Sequence, residues 1–181
     1  MSDHKLKIIE QIHKGRNNIY IVEYKGRTCI WKKPKNSSNA RKESLKRQLV
    51  RIKFWRKHDL STIKAIRYKK GILKTYVIGE TLYTIIKENR HFFSDNSNEL
   101  EALEKFVRLL IKSKHFIHDM KGPNLVYSED KIQIIDSGPI YKRSNKSSLK
   151  KEYQKILYIK WSKLLDSKSE KRYLKKFLKL E

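Results

Sequence analysis

Four polar side chains between residues 119 and 136 have the types and the spacing that phosphoryl transfer requires. Asp119 is followed by Lys121 and, five positions after the aspartate, by Asn124. Asp136 comes twelve positions after Asn124, with two short apolar runs between them. Phosphoryl transfer from a nucleotide uses one carboxylate to orient the attacking hydroxyl, an amide carbonyl and a second carboxylate to hold magnesium, and a lysine to neutralise charge. The stretch predicts this chemistry.

A structural interpretation of the same residues is open as well. Asp and Asn are frequent in turns, so Asp119, Asn124 and Asp136 could simply flank a hairpin. The spacing, the apolar hairpin at 125–135 and a helix predicted upstream all agree with one another, which favours the catalytic interpretation. A match to Asp136 and the two residues after it would carry no weight alone.

The segment from Ile117 to Gly138 resembles the protein-kinase-like superfamily, whose catalytic loop reads H-R-D-x-x-x-x-N and whose metal loop reads D-F-G. The resemblance implies that Asp119 is the catalytic base and that Lys121 stabilises charge. It implies that Asn124 and Asp136 are the Mg²⁺ ligands and that ATP is the phosphoryl donor. The sequence departs from the pattern twice, because Ile117-His118 replaces the His-Arg pair and Ser137 replaces the Phe. The second departure predicts that a Phe-based regulatory switch is absent.

The N-terminal half carries weaker signals of nucleotide binding. Cys29-Ile30-Trp31-Lys32 lies where kinases have V-A-I-K, and strand alternation places Ile30 and Lys32 on one face. The resemblance implies that Ile30 contacts adenine and that Lys32 contacts the α- and β-phosphates, with Glu43 as the partner of Lys32. Lys33 is the register alternative. Both Lys32 and Glu43 could also be ordinary surface charges in so basic a chain.

Two backbone segments complete the predicted nucleotide site. The turn around Gly15 resembles a degenerate phosphate-covering loop, to which Lys14 or Arg16 could contribute. The segment with Tyr76 and Val77, ahead of Gly79, resembles the hinge whose backbone hydrogen-bonds to adenine.

Hydrophobic periodicity predicts the elements that position these residues. Alternating apolar residues predict strands at 5–13, 19–24, 28–32, 62–68 and 72–78. Helical spacing predicts a helix that ends near residue 57, a helix that begins at an Asn98–Glu101 capping box, and basic helices from Ser148 onward. The predicted fold class is α+β, a two-lobed protein-kinase-like fold in one domain, 1–181. An antiparallel β-rich lobe with one helix (1–78) precedes a short α-helical lobe (79–181).

The charge balance predicts anionic partners. The chain has 181 residues with 44 Lys and Arg against 19 Asp and Glu, a formal net charge of +25. Residues 142–181 hold fourteen Lys and Arg against four Asp and Glu. These helices could dock on phosphate-rich material, or they could present an ordinary solvated face. Tyr153, Tyr158, Trp161 and Tyr173 lie among the lysines, where they could contact RNA or lipid headgroups or pack the helices together.

Composition excludes several other classes of protein. One Cys rules out a disulfide framework and a Cys-rich zinc site. No apolar run is long enough to span a membrane, and no signal peptide is evident. We therefore expect a cytoplasmic protein, peripheral at the inner membrane if it contacts anionic lipid.

The overall layout resembles the lipopolysaccharide core heptose kinases, mainly over residues 105–181. The shared features are a compact catalytic loop, a basic helical tail, and an apolar hairpin that ends in I-I-D-x-S-G in that family. Here the hairpin ends in Ile134-Ile135-Asp136-Ser137-Gly138, which is one residue shorter than the family motif. This resemblance implies a sugar hydroxyl of the lipopolysaccharide core as the acceptor. A small atypical serine/threonine protein kinase is the first alternative. The second is a nonenzymatic protein that binds RNA or an anionic membrane on a degenerate kinase scaffold.

Overall fold

The computed structural model describes residues 5–15, 17–35, 38–89 and 91–179. The strands within these ranges are β1 (Lys7–Lys14), β2 (Asn17–Tyr24), β3 (Arg27–Pro34), β4 (Ala65–Tyr68), β5 (Gly71–Thr75), β6 (Glu80–Thr81), β7 (His115–Ile117), β8 (Leu125–Ser128), β9 (Lys131–Ile134) and β10 (Ile140–Lys142). The α-helices are α1 (Asn39–Lys57), α2 (Leu82–Glu88), α3 (Asn98–Lys112), α4 (Lys146–Trp161) and α5 (Lys168–Lys179). Short 3₁₀ turns lie at Gly122–Asn124 and Ser162–Leu164. The fold class is therefore α+β.

The chain divides into two compact units. Unit 1 contains the described residues up to Arg56 together with Thr62–Val77. Unit 2 contains Lys57–Ser61 and the described residues from Ile78 onward. Residues 57–61 thus group with unit 2 although they precede β4 in the sequence. One reason is a hydrogen bond of 3.0 Å from the Ile134 N–H to the Leu60 carbonyl, which ties this segment to β9.

Unit 1 is an antiparallel five-stranded sheet, in the order β1-β2-β3-β5-β4, with helix α1. Lys25 and Gly26 form the two-residue turn between β2 and β3, and both have positive φ, 53° and 70°. Two positive φ angles are typical of the type I′ turn, whose twist matches that of the flanking strands. This turn joins the strands that the sequence predicts at 19–24 and 28–32.

One face of this sheet carries an apolar cluster. Val22, Cys29, Trp31 and Leu73 are buried there. Partly buried side chains pack around them, namely Leu6, Tyr20, Tyr24 and Tyr68. The odd-numbered residues of β3 therefore face this cluster, and the even-numbered ones, Ile30 and Lys32, face the other way.

Unit 2 contains a three-stranded sheet, β6-β8-β9, a two-stranded sheet, β10-β7, and the helices α2 to α5. Helix α3 packs against β7, β9 and α4, and α4 packs against β7 and α5. Helical spacing predicts that Leu100, Leu103, Val107 and Leu110 line one buried face of α3. The last three are at most 1% exposed, whereas Leu100 is only half-buried. Among the described residues, no helix is long and apolar enough to cross a membrane.

Several element boundaries differ from the prediction. Helix α3 is capped by Ser97, whose hydroxyl accepts the Leu100 N–H, so the cap lies one residue before Asn98. Strand β4 begins at Ala65 and β5 ends at Thr75, so both are shorter than predicted. Helical spacing after Ser148 predicts one apolar stripe of Leu149, Tyr153, Ile156, Leu157 and Leu164. Leu149, Tyr153 and Leu157 are buried, but Ile156 and Leu164 are only half-buried. Trp161 and Leu165 are buried instead, because the chain tightens into a 3₁₀ turn after Trp161.

Candidate active site

The loop between β7 and β8 brings three of the predicted residues together. Asp119 has a left-handed backbone, φ 64°, which is rare for a residue other than glycine. The Asn124 Nδ2 group donates to the Asp119 carbonyl at 2.8 Å and to its Oδ2 atom at 3.1 Å. Lys121 Nζ lies 3.6 Å from the same Oδ2 atom. Because Asn124 lies five residues after Asp119, its amide reaches back and holds both the backbone and the carboxylate of Asp119. We call Asp119, Lys121 and Asn124 the Asp119 cluster.

The hairpin of β8 and β9 returns the chain to this loop. Leu125 pairs with Ile134 in its register, and the Ile135 N–H donates to the Asn124 carbonyl at 2.9 Å. Asp136 is thus one residue away from a direct backbone contact with Asn124. Its Oδ1 atom accepts the Ser137 N–H at 2.9 Å, which orients the carboxylate. The twelve-residue interval between Asn124 and Asp136 is the length of this hairpin.

Backbone hydrogen bonds join residues 138 and 139 to His118, at the start of the loop. The Gly138 N–H donates to the His118 carbonyl, and the His118 N–H donates to the Pro139 carbonyl, both at 2.9 Å. A Cβ atom at Gly138 would lie 2.8 Å from the His118 Cβ and 3.4 Å from the Asp119 Cβ. A side chain at 138 would therefore push residues 138 and 139 away from His118 and Asp119. This close approach is a physical reason for glycine two residues after Asp136.

The donor set suits a magnesium ion that keeps other ligands. The two bonds to Asp119 are made by the Asn124 Nδ2 group, so they do not use its Oδ1 atom. An amide oxygen and one carboxylate are what Mg²⁺ uses in nucleotide sites, where water and phosphate oxygens supply the remaining ligands. No group of three or more His, Cys, Asp or Glu able to hold a metal occurs in the described ranges. A dedicated all-protein metal cage is therefore not seen there, but Asn124 and Asp136 fit the two-ligand arrangement.

Helix α4 holds this loop through two buried side chains. The Tyr153 hydroxyl donates to the His115 carbonyl at 2.8 Å and accepts the Ile117 N–H at 3.0 Å. The Trp161 Nε1–H donates to the Met120 carbonyl at 3.1 Å. Both side chains are at most 1% exposed, and burial raises the pKa of Tyr153 above its ordinary value. The sequence marks both as aromatic positions on a basic helix but gives no sign that they bond to β7 and to the loop that follows it.

A forked ion pair joins Arg143, the residue after β10, to Glu152 of α4. Arg143 Nε lies 3.0 Å from Glu152 Oε2, and Nη2 lies 3.0 Å from Oε1. The Arg143 guanidinium also lies 5.7 Å from the centre of the Phe116 ring. The hydrogen bond from Arg143 holds the pKa of Glu152 below its usual value. Sequence reasoning missed this pair, which connects the two elements that flank the loop.

In unit 1, the two candidate lysines, Lys32 and Lys33, lie on opposite faces of β3. Lys33 Nζ lies 5.3 Å from the centre of the Trp31 ring, so Lys33 is on the side of the aromatic cluster. Ile30 and Lys32 are on the opposite side, where Lys32 pairs in register with Ile72 of β5. Ile30 is buried and Lys32 is half-buried. Ile30 and Lys32 therefore share a face, as strand alternation predicts.

Glu43 has a partner within its own helix. Its Oε1 atom lies 2.6 Å from Lys46 Nζ, and both side chains are more than half exposed. The hydrogen bond from Lys46 lowers the pKa of Glu43. The pairing of Glu43 with Lys32 that the resemblance implies stays a prediction, and the structure shows a local competitor for it.

The remaining candidates lie in connections. Gly15 follows β1 and is half-buried, whereas Arg16 lies outside the described residues. Tyr76 and Val77 follow the end of β5, with Tyr76 exposed and Val77 half-buried. A Cβ atom at Gly79 would lie only 2.1 Å from the Tyr127 carbonyl oxygen, so this position requires glycine.

Comparisons with protein-family models and with curated proteins find no match for this chain. The arrangement of its own side chains is therefore the basis for assigning its chemistry.

Proposed function

We propose that this chain adopts a minimal two-lobed kinase-like fold and transfers the γ-phosphoryl group of ATP to a hydroxyl group. The observation that carries the proposal is the Asp119 cluster, in which Asn124 and Lys121 both contact Asp119. The backbone bond between Ile135 and Asn124 brings Asp136 next to this cluster in the chain. Asp130 in the β8–β9 turn also has a left-handed backbone, but Asp119 differs from it because one amide, that of Asn124, donates both to its carbonyl and to its carboxylate. The strain at Asp119 is typical of residues held in position for function.

Each residue of the Asp119 cluster has a separate role in the proposed reaction, and so has Asp136. The Asp119 carboxylate orients the acceptor hydroxyl and takes its proton. Lys121 neutralises charge on the transferred group, and its distance from Asp119 places both on one side of the loop. Asn124 Oδ1 and the Asp136 carboxylate would hold Mg²⁺, which, when bound, neutralises charge on the phosphate oxygens.

The residues proposed for nucleotide contact belong to unit 1. Lys32 contacts the α- and β-phosphates, and Ile30, on the same face of β3, packs against the adenine. Backbone groups of Tyr76 and Val77 bond to the edge of the base, and the turn at Gly15 covers the phosphates. In this proposal Glu43 leaves Lys46 and pairs with Lys32 when the nucleotide is bound.

Our preferred acceptor is a sugar hydroxyl of the lipopolysaccharide core, which is a large anionic glycolipid. The groove between α4 and α5 supports an anionic acceptor, because four lysines line a cavity of about 400 Å³ there. They are Lys151, Lys155, Lys175 and Lys179, and Tyr158 and Leu178 supply apolar surface. The protein would act at the cytoplasmic face of the inner membrane, held by charge.

Labelled ATP distinguishes the candidate acceptors. The protein is incubated with γ-labelled ATP, Mg²⁺ and a total bacterial extract, and labelled glycolipid is then separated from labelled protein. We expect label in the glycolipid with the wild type and none above background with Asp136→Ala. Label in protein alone would replace the sugar acceptor with a serine/threonine acceptor. Equal labelling by the wild type and Asp136→Ala would refute the assignment of the site.

A further inference from the structure

Unit 1 contains a cavity of about 230 Å³ next to the parts of β3 and α1 that carry Lys32 and Glu43. It lies among α1, the end of β3 and the hairpin of β4 and β5. Its lining residues are Pro34, Lys42, Leu45, Lys46, Leu49, Arg67, Lys69, Lys70, Gly71 and Ile72. None of them belongs to the proposed phosphoryl-transfer site, so the cavity calls for a separate explanation.

The rim of this cavity is strongly cationic. Five of its ten lining residues are Lys or Arg, and none is Asp or Glu. All five cationic side chains are exposed. Lys69 Nζ lies 5.6 Å from the Tyr68 ring, and Lys46 contacts Glu43, which is outside the lining. A concave surface with charges of one sign concentrates the potential and attracts an oppositely charged ligand.

The floor of the cavity is apolar. Pro34 and Ile72 are buried, and Leu45 and Leu49 of α1 are half-buried at its wall. An engineered apolar cavity of about 150 Å³ is large enough to hold benzene. A cavity of about 230 Å³ therefore has room for one aromatic side chain.

We propose that this cavity binds an acidic peptide segment of a partner protein. One aromatic side chain of the segment fills the apolar floor, and the neighbouring carboxylates bond to the cationic rim. RNA fits less well, because the lining has no aromatic side chain on which a base could stack. A membrane surface fits less well, because the apolar part is a recess rather than a protruding surface. The proposal does not depend on phosphoryl transfer.

Fluorescence anisotropy tests the proposal without ATP. The probe is a fluorescein-labelled peptide of sequence EDFEDE, and the comparison peptide is EDAEDE. For the wild type, we expect EDAEDE to bind at least about fivefold more weakly, because loss of buried apolar area costs roughly 25 cal/mol per Å². This comparison leaves the protein unchanged, so misfolding cannot affect it.

Charge-reversal variants test the rim. The double variant Lys69→Glu/Lys70→Glu should weaken EDFEDE binding at least about tenfold, since two attractions become repulsions. Lys53→Glu/Lys64→Glu is the matched control, because both lysines are exposed in unit 1, lie outside the cavity lining, and give the same change in net charge. The control should change the Kd less than about threefold. Circular dichroism checks that both variants are folded.

Three outcomes would overturn the proposal. Equal binding of the two peptides would mean that only general electrostatic attraction operates. Equal weakening by the rim variant and the control variant would mean the same. Tight binding of a uridine decanucleotide or of phosphatidylglycerol vesicles, sensitive to Lys69→Glu/Lys70→Glu and without peptide binding, would assign the cavity to RNA or to lipid.

Discussion

At the scale of single residues, the backbone of Asp119 is the most informative feature. A left-handed φ of 64° costs an aspartate about 1–2 kcal/mol. Two hydrogen bonds from the Asn124 amide offset this cost and aim the carboxylate. Asn124 thus has two proposed tasks, since the amide group that holds Asp119 would also offer its oxygen to Mg²⁺.

The two proposed metal ligands should differ in their effect on turnover. Asp136→Ala removes the charged ligand, and we expect phosphoryl transfer to fall at least about a thousandfold because several kcal/mol of charge stabilisation are lost. Asn124→Ala should cost about 10- to 100-fold, the range for groups that orient a metal site. Steady-state kinetics at varied Mg²⁺ measures both. Full activity of Asp136→Ala would disprove the metal assignment.

Substitutions of the two adjacent lysines of β3 should also differ in their effect on ATP binding. Lys32→Met should weaken ATP binding about tenfold, which corresponds to about 1.4 kcal/mol. Lys33→Met should leave ATP binding unchanged and cost only about 0.5–1 kcal/mol of stability, since its contact with Trp31 is lost. Nucleotide titration by fluorescence measures the affinities. The reverse result would place the other face of β3 toward the nucleotide.

At the scale of elements, α4 supports the loop between β7 and β8, which carries Asp119. Tyr153 of α4 donates a hydrogen bond to β7, and Trp161 donates one to the Met120 carbonyl. Glu152 of the same helix forms an ion pair with Arg143. The partners of the two aromatic side chains are backbone groups 36 to 41 residues away in the sequence. A helix that looks like a basic tail in the sequence thus forms part of the site.

Removing the Tyr153 hydroxyl tests this support. Tyr153→Phe leaves the Ile117 N–H and the His115 carbonyl without this partner, at a cost of about 1–3 kcal/mol. Tyr158→Phe is the matched control on the same helix, because Tyr158 lines the α4–α5 groove. Thermal unfolding should show Tyr153→Phe melting at a lower temperature than Tyr158→Phe. Equal melting temperatures would mean that the buried hydroxyl does not support the loop.

Segment 57–61 and β7 meet at a histidine pair whose rings are 5.7 Å apart, His58 and His115. Burial, the His115 ring and Lys57 hold the pKa of His58 below its usual value, against a smaller opposing effect of Asp59. The unfolded chain then binds more protons than the folded one. The contribution of His58 to stability is present above the ordinary histidine pKa of about 6.5 and is lost as the pH falls below it.

Urea unfolding between pH 8 and pH 5 measures this dependence. His58→Gln should flatten the decrease in the free energy of unfolding across that range. His91→Gln, an exposed histidine in unit 2, should leave the decrease unchanged. If both variants showed the slope of the wild type, His58 would not be the group responsible.

The sequence is sufficient to predict what depends on local pattern. Alternation places Ile30 and Lys32 on one face of β3, helical spacing predicts the buried stripe of α3, and the Asp119–Asn124–Asp136 spacing predicts the loop and hairpin. The sequence is not sufficient where a contact joins residues that are far apart in the chain, or where two nearby partners compete for one side chain. The bond from Trp161 to Met120 depends on tertiary packing, and the Glu43–Lys46 pair arises because residues three apart on a helix are neighbours.

At the scale of the whole molecule, charge is the dominant property. A net charge of +25 gives long-range attraction for anionic acceptors. The structure places Lys151 and Lys155 at the α4–α5 groove, while the buried stripe of α4 carries none of these lysines. Docking and folding can therefore be altered separately.

Charge reversal of the tail tests acceptor docking. Replacing Lys150, Lys151, Lys155 and Lys163 by Glu should raise the apparent KM for the anionic acceptor and remove its salt sensitivity. Exposed charges act over about 10 Å at ~0.1 M salt. ATP hydrolysis without acceptor should stay close to wild type. Loss of both activities would place these lysines in folding or in nucleotide binding instead.

The central claim is that this chain binds ATP with Mg²⁺ through Asp136, and thermal unfolding with and without nucleotide tests it most directly. At a nucleotide concentration of 100 times the Kd, binding stabilises the folded state by about 2.7 kcal/mol. For a chain of this size, that raises the melting temperature by roughly 5–10 °C. We predict this rise with ATP and Mg²⁺ for the wild type, and little or none with ATP and a chelator or for folded Asp136→Ala. The same melting temperature with and without ATP and Mg²⁺ for the wild type, or an equal rise for Asp136→Ala, would contradict the claim.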